Sequence, residues 1–175
     1  MEYDGYDAIV YDLDGTLVYL KVDWAAVARD VIAVYAAEDI DVAGEDLWTL
    51  TAQASSVGLG GAVEDAISAH EREGARTSDR LALADDVSSL SVPVGVCSLN
   101  CEAACEIALE THTLHSDVDA IVGRDTVPKQ KPDPEPLLAA IDGLGATPEE
   151  TLFIGDSESD KTTAERAGTD FRYVP

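Results

Sequence analysis

The chain has 175 residues, 35 of them acidic and 11 basic, giving a formal charge of −24, and 46% are hydrophobic. A hydrophobic share near half belongs to chains that fold, so the acidity is not that of a disordered tail. A surface this negative repels phosphate backbones and anionic lipids, which argues against nucleic acid and membranes as partners.

The stretch Met1 to Asp7 carries acids where a secretory signal would carry Lys or Arg ahead of an apolar block, so export is not expected and a cytoplasmic protein is. Ala8, Ile9, Val10 and Tyr11 then form a continuous apolar run that stops at Asp12, the pattern of a strand covered on both faces. Similar runs at Val92 to Cys97, Ala120 to Val122, Leu152 to Ile154 and Phe171 to Val174 predict five buried strands. Between the later runs, helices are predicted over Glu102 to Leu114, Glu135 to Leu144 and Asp160 to Ala167, the last ending at Gly168 as a helix C-terminus does. Strands alternating with helices give an α/β protein with a Rossmann-like parallel sheet.

The interval between the first two strands runs to roughly 80 residues where a crossover needs about a dozen, so something is inserted there. Asp23 can cap a helix in which Trp24, Val27, Ala28, Val31 and Tyr35 share a face. Helical patterns follow at Leu47 to Ala54, broken by Gly58, Gly60 and Gly61, then at Val63 to His70 and at Ser78 to Leu90. The first three suit a small helical cap over 20–80, leaving 1–19 and 81–175 as the core.

Cys97, Cys101 and Cys105 are too few and too clustered for a disulfide framework. Their C-x3-C-x3-C spacing could suggest a metal site, but Cys97 ends an apolar run and the other two sit four apart on a predicted helix, so they read as small core residues. His112 and His115 lack a further Cys or His pair to complete a metal site, and read as surface or satisfied helix residues.

In open parallel sheets ligands bind beyond the carboxyl ends of the strands, so the polar residues that terminate each run carry the chemistry. The first strand ends Asp12-Leu13-Asp14-Gly15-Thr16 and the second Ser98-Leu99-Asn100. Lys131-Pro132-Asp133-Pro134 opens a helix, and the fourth strand ends Gly155-Asp156-Ser157-Glu158-Ser159-Asp160. Each alone has a structural explanation, as a turn pair, a cap or a dipole partner. Their order together resembles the haloacid dehalogenase superfamily of phosphohydrolases, whose phosphoglycolate phosphatase-like members often carry an Asp-Ser pair where this chain has Val18-Tyr19-Leu20-Lys21.

That resemblance implies a Mg2+-dependent phosphatase acting on a small phosphorylated metabolite beneath a helical cap of the C1 type, which serves as a mobile lid. It makes Asp12 the nucleophile that forms an aspartyl phosphate and Asp14 the general acid and base. It assigns the metal to Asp12, the backbone carbonyl of Asp14, and Asp156, with Asp160 holding the metal shell directly, through water or through Lys131. Ser98 and Lys131 would engage the phosphate, with Gly15 and Thr16 among the substrate-binding residues. Asn100 would assist at the start of a helix whose free N–H groups attract anions, or it caps that helix. Dehalogenation is disfavoured by the acid at Asp14, and Schiff-base phosphonate hydrolysis by the lack of Lys between positions 22 and 128. A phosphomutase and a non-catalytic regulatory protein are the alternatives. Lys occurs only at positions 21, 129, 131 and 161, and this acid excess resembles proteins of high-salt cytoplasms, which points to a halophilic archaeon.

Overall fold

A computed structural model of the protein describes residues 3–175; Met1 and Glu2, which begin the acidic N-terminal stretch, lie outside the described residues. Five parallel strands form the sheet: β1 (Ala8–Tyr11), β4 (Val94–Cys97), β5 (Ala120–Val122), β6 (Thr151–Gly155) and β7 (Asp170–Tyr173), in the order β5-β4-β1-β6-β7. A separate antiparallel pair, β2 (Val18–Tyr19) and β3 (Asp79–Arg80), sits where the chain leaves and re-enters the sheet region.

The continuous apolar run of β1 follows from its central position. Ile9 and Tyr11 face one hydrophobic cluster with Leu13, Val96, Leu109 and Ile154, while Val10 faces a second with Cys97, Phe153, Leu137 and Ile141. Alternate side chains point to opposite faces, so a strand covered on both sides must be apolar at every position. The register is set by Ile9 pairing with both Val94 and Leu152. β5 and β7 are less buried than expected, because each is an edge strand with one neighbour.

Helices α5 (Glu102–Thr111), α6 (Glu135–Leu144) and α7 (Glu158–Ala167) connect the later strands. α7 starts two residues earlier than its apolar pattern suggests, because Ser157 and Asp160 form a reciprocal capping box, and it ends at Gly168 in the left-handed conformation. α5 stops at Thr111, three residues short of its expected end, with Thr113 in the left-handed region.

Between β2 and β3 lie α1 (Trp24–Ala37), α2 (Leu47–Gln53) and α3 (Gly60–Arg76), packed on a cluster of their own that includes Val27, Val31, Tyr35, Leu50, Val63 and Ile67. Asp23 caps α1, its carboxylate accepting from the Ala26 amide at 3.0 Å. Only Gly58 interrupts the helices. Gly60 and Gly61 instead form the first turn of α3, which extends well past His70. The helix expected from Ser78 to Leu90 is replaced by β3 and the single-turn α4 (Ala84–Val87), since Asp79 and Arg80 pair with Tyr19 and Val18. Trp24 is not in the buried stripe of α1; it is 40% exposed. α3 packs against α5, and this contact joins the insertion to the core.

Candidate active site

The carboxyl ends of β1, β4 and β6, with the loop before α6 and the start of α7, bring Asp12, Asp14, Ser98, Asn100, Lys131, Asp156 and Asp160 together. Lys131 is buried, and its Nζ lies 3.1 Å from Asp12 Oδ1, donates to the Asp160 carboxylate and to the Cys97 carbonyl at 3.1 Å. Burial alone would favour the neutral amine, but Asp12 and Asp160 outweigh it and hold the ammonium charged. Burial raises the Asp12 carboxyl above its ordinary range, opposed by Lys131 and by the Leu13 amide, which donates to Oδ1 at 2.7 Å. Burial likewise raises Asp14, against the Leu20 amide, which donates to its Oδ1 at 2.8 Å.

Asp12, Asp156 and Asp160 each offer a carboxylate oxygen, all within 4.8 Å of one another. This all-oxygen, anionic donor set fits a hard divalent cation such as Mg2+. Asp160 has both oxygens engaged, one with Lys131 and the other with the Ser157 amide and hydroxyl. The Asp12-to-Gly15 loop runs so close to Asp156 that a Cβ on Gly15, whose φ is +82°, would collide with Asp156 Oδ2.

Ser98 and Asn100 are buried at the end of β4. The Ser98 hydroxyl donates to Asn100 Oδ1 and accepts from the Asn100 amide, both at 3.1 Å. Asn100 does not cap α5. Its amide group points to Glu71 at 3.4 Å, and two amides at the start of the helix are engaged by side chains, Cys101 N by Glu71 and Glu102 N by Asp125. Gly15 and Thr16 are not brought to the cavity that holds the other residues. Their amides close the loop onto Val18 and Leu13, and they line a neighbouring depression. Thr16 Oγ1 is buried without a hydrogen-bond partner among the described residues.

A cavity of about 450 Å³ opens over the acids and Lys131. The core contributes Asp12, Asp14, Ser98, Asn100, Lys131 and Asp156; the insertion contributes Trp24, Trp48, Thr51, Ile67 and Glu71. Arg124, beyond the end of β5, also lines it and was not singled out in the sequence. It is bound by Glu64 and Glu71 of α3 and donates to the Leu99 carbonyl at 2.7 Å. Reading Gly123-Arg124-Asp125 as the polar end of the third strand would have found it. All three cysteines are buried and free, and burial raises the Cys97 thiol to about 12, so none supplies a thiolate. His112 is held by the Ser78 hydroxyl at 2.9 Å. Among the described residues, no helix is long and apolar enough to cross a membrane.

A family model for haloacid dehalogenase-like hydrolases matches residues 63–174. Phosphoglycolate phosphatase of Rhodospirillum rubrum is 31% identical, over 92% of this chain and 76% of its own length. Phosphoglycolate phosphatase 1 of Pseudomonas aeruginosa is also 31% identical, over 91% of this chain and 66% of its own. The crystal structure of CbbY from Rhodobacter sphaeroides in complex with phosphate superposes with a TM-score of 0.70 at 20% identity, over 97% of this chain and 86% of that one, and has the same fold. A parallel sheet with the acids and lysine gathered at its strand ends, the family-model match and an alignment over nine-tenths of this chain lead to one assignment: the chain belongs to the haloacid dehalogenase-like hydrolases, as a phosphohydrolase of the phosphoglycolate phosphatase-like group.

Proposed function

We propose that the protein is a Mg2+-dependent phosphatase that hydrolyses a small phosphate monoester through an aspartyl phosphate on Asp12, with residues 20–80 as its cap. The observation that carries this reading is the buried Lys131 ammonium set between Asp12 and Asp160, with Asp156 in reach of both acids. Asp12 and Asp156, with the Asp14 backbone carbonyl, would hold Mg2+, while Asp160 acts by fixing Lys131. When bound, Mg2+ supplies the positive charge that lets a carboxylate approach a phosphate dianion.

Asp12 then attacks phosphorus, forming the acyl phosphate and releasing the alcohol, to which Asp14 gives a proton. Asp14 takes a proton from the water that splits the phosphoenzyme, so one residue serves as acid and then base. Ser98 donates to a phosphate oxygen in place of its present bond to Asn100, and Lys131 neutralises the equatorial oxygens as charge spreads over them. The insertion excludes water from the first step. Arg124, Glu64 and Glu71 tie α3 to the core, so any opening movement is confined to α1 and α2 or must break that network.

The test is release of inorganic phosphate from a panel of phosphorylated metabolites, with and without EDTA. Hydrolysis should need Mg2+ and should fall by about 10²–10⁴-fold in Asp14→Asn, the usual contribution of a general acid and base. Asp12→Asn should fall at least as far. Near wild-type turnover in Asp12→Asn would end the assignment.

A further inference from the structure

The cavity also carries information about the alcohol half of the substrate. The chain contains two tryptophans, Trp24 and Trp48, and both line this cavity although they come from different helices of the insertion. Trp48 is 65% exposed, and the two rings lie 5.5 Å apart and tilted at 50° to one another. The pair packs on itself, yet it leaves a large aromatic surface open at the cavity, and exposed apolar surface in a groove marks a place where a ligand binds. Ile67 and Leu99 extend the apolar lining, and Leu99 is itself 40% exposed.

Charge around the cavity argues against an alcohol that carries its own negative charge. Two cationic side chains line it, Lys131 and Arg124, and Lys131 is committed to the acids at the strand ends. Arg124 is saturated. Nε donates to Glu64, Nη1 to Glu71 and the Leu99 carbonyl, and Nη2 to Glu64 and Glu71, which uses all five N–H bonds. One guanidinium against two carboxylates leaves that wall with a net negative charge. A leaving group bearing its own carboxylate, as 2-phosphoglycolate does, would find no free cation there and would face Glu71.

Resting on the phosphatase reading above, we infer that the substrate is a phosphate monoester whose alcohol carries a flat, uncharged ring seated against Trp24 and Trp48. Such a ring occurs in an aryl-methyl alcohol, close to the phosphate, or in a nucleoside, one sugar further away. Both share the chemistry that the tryptophans recognise.

The experiment compares kcat/KM, in Mg2+, for benzyl phosphate, a nucleoside 5′-monophosphate, glycerol 3-phosphate and 2-phosphoglycolate. All are esters of alkyl alcohols, so activated leaving groups do not bias the comparison. At least one ring ester should exceed both glycerol 3-phosphate and 2-phosphoglycolate by about tenfold, the scale of one aromatic stacking contact. Preference between the two ring esters reports how far the ring sits from phosphorus. Trp48→Ala should lower the selectivity of the ring ester over glycerol 3-phosphate by about tenfold, and Trp48→Phe should restore most of it. Because Trp48 is exposed, these variants should fold, which circular dichroism checks.

If 2-phosphoglycolate is the best of the four, the inference is overturned while the phosphatase reading stands. If all four are inert, the tryptophans still report. Their fluorescence in wild-type protein with Mg2+ should be quenched by saturable binding of a ring ester and not by glycerol 3-phosphate. Quenching then supports the ring site as the phosphatase reading fails; no quenching overturns the ring site as well.

Discussion

Arg124→Met tests how the insertion is held to the core. The Arg124 side chain is 11% exposed and binds Glu71, which is 1% exposed, as well as Glu64. Removing one partner of a buried ion pair costs about 3–5 kcal/mol, because the charge left behind is neither solvated nor paired. Glu71 would keep the Cys101 amide at 3.0 Å and the longer contact to Asn100, so the loss belongs near the lower end, about 3 kcal/mol. For a chain of this size that corresponds to a fall in Tm of about 6–12 °C. Thermal and urea melts at fixed salt measure it, and Arg124→Met combined with Glu71→Gln should recover a large part, since a neutral amide is cheaper to bury. The acid side gives an independent check. Burial pushes the Glu64 carboxyl up, but Arg124 outweighs this and holds it below its ordinary range. Its contribution is therefore complete above the unfolded pKa and lost as pH falls through the depressed folded one, and Arg124→Met should abolish that acid-side loss. A change below about 1 kcal/mol, the scale of a surface pair, or strictly additive effects in the double variant would mean that Arg124 and Glu71 are not coupled as a buried pair.

Gly15→Ala should raise the Mg2+ concentration needed for half-maximal turnover, because its new Cβ collides with Asp156 Oδ2 and the left-handed backbone adds about 1–2 kcal/mol of strain; unchanged metal dependence in a metal titration would separate the loop from Asp156. Thermal stability should increase from dilute buffer to molar KCl, as screening weakens the repulsion of 24 excess negative charges. A flat or falling Tm would remove the high-salt expectation. Phosphoryl transfer should end on water and not on a second substrate hydroxyl, since none of the insertion's Arg29, His70, Arg72, Arg76 and Arg80 lines the cavity, and His70, Arg76 and Arg80 are also held by Asp30, Glu73 and Asp85. Inorganic phosphate should therefore appear faster than isomerised sugar phosphate, and the reverse order would favour a mutase.

The sheet was legible because burial on both faces forces an uninterrupted apolar run, and Ala8 to Tyr11 and Leu152 to Ile154 show one. The strand-end acids were legible for the same reason: a charge directly after such a run has a topological address. What the sequence hid depended on partners far along the chain. Arg124 and Glu71 are 53 positions apart, and neither has a local pattern that marks it as one half of a buried pair. Trp24 fits the apolar stripe of α1 by spacing, yet its position at the open end of the helix leaves it facing Trp48 at the cavity. Gly60 and Gly61 read as breakers by propensity, but the first turn of a helix tolerates them, because its N–H groups lack intrahelical partners in any case. The interruption of the Ser78 to Leu90 pattern comes from a strand pair with Val18 and Tyr19, a contact across the whole insertion.

On the proposed mechanism Asp12 becomes phosphorylated during turnover. Acid quenching of the enzyme at steady state with a 32P-labelled substrate, followed by borohydride reduction and peptide mass spectrometry, tests it most directly. Acid-stable, hydroxylamine-labile label should appear on the protein and Asp12 should be converted to homoserine, with neither in Asp12→Asn. Steady release of inorganic phosphate with no label on the protein, or with label on another residue, would contradict it.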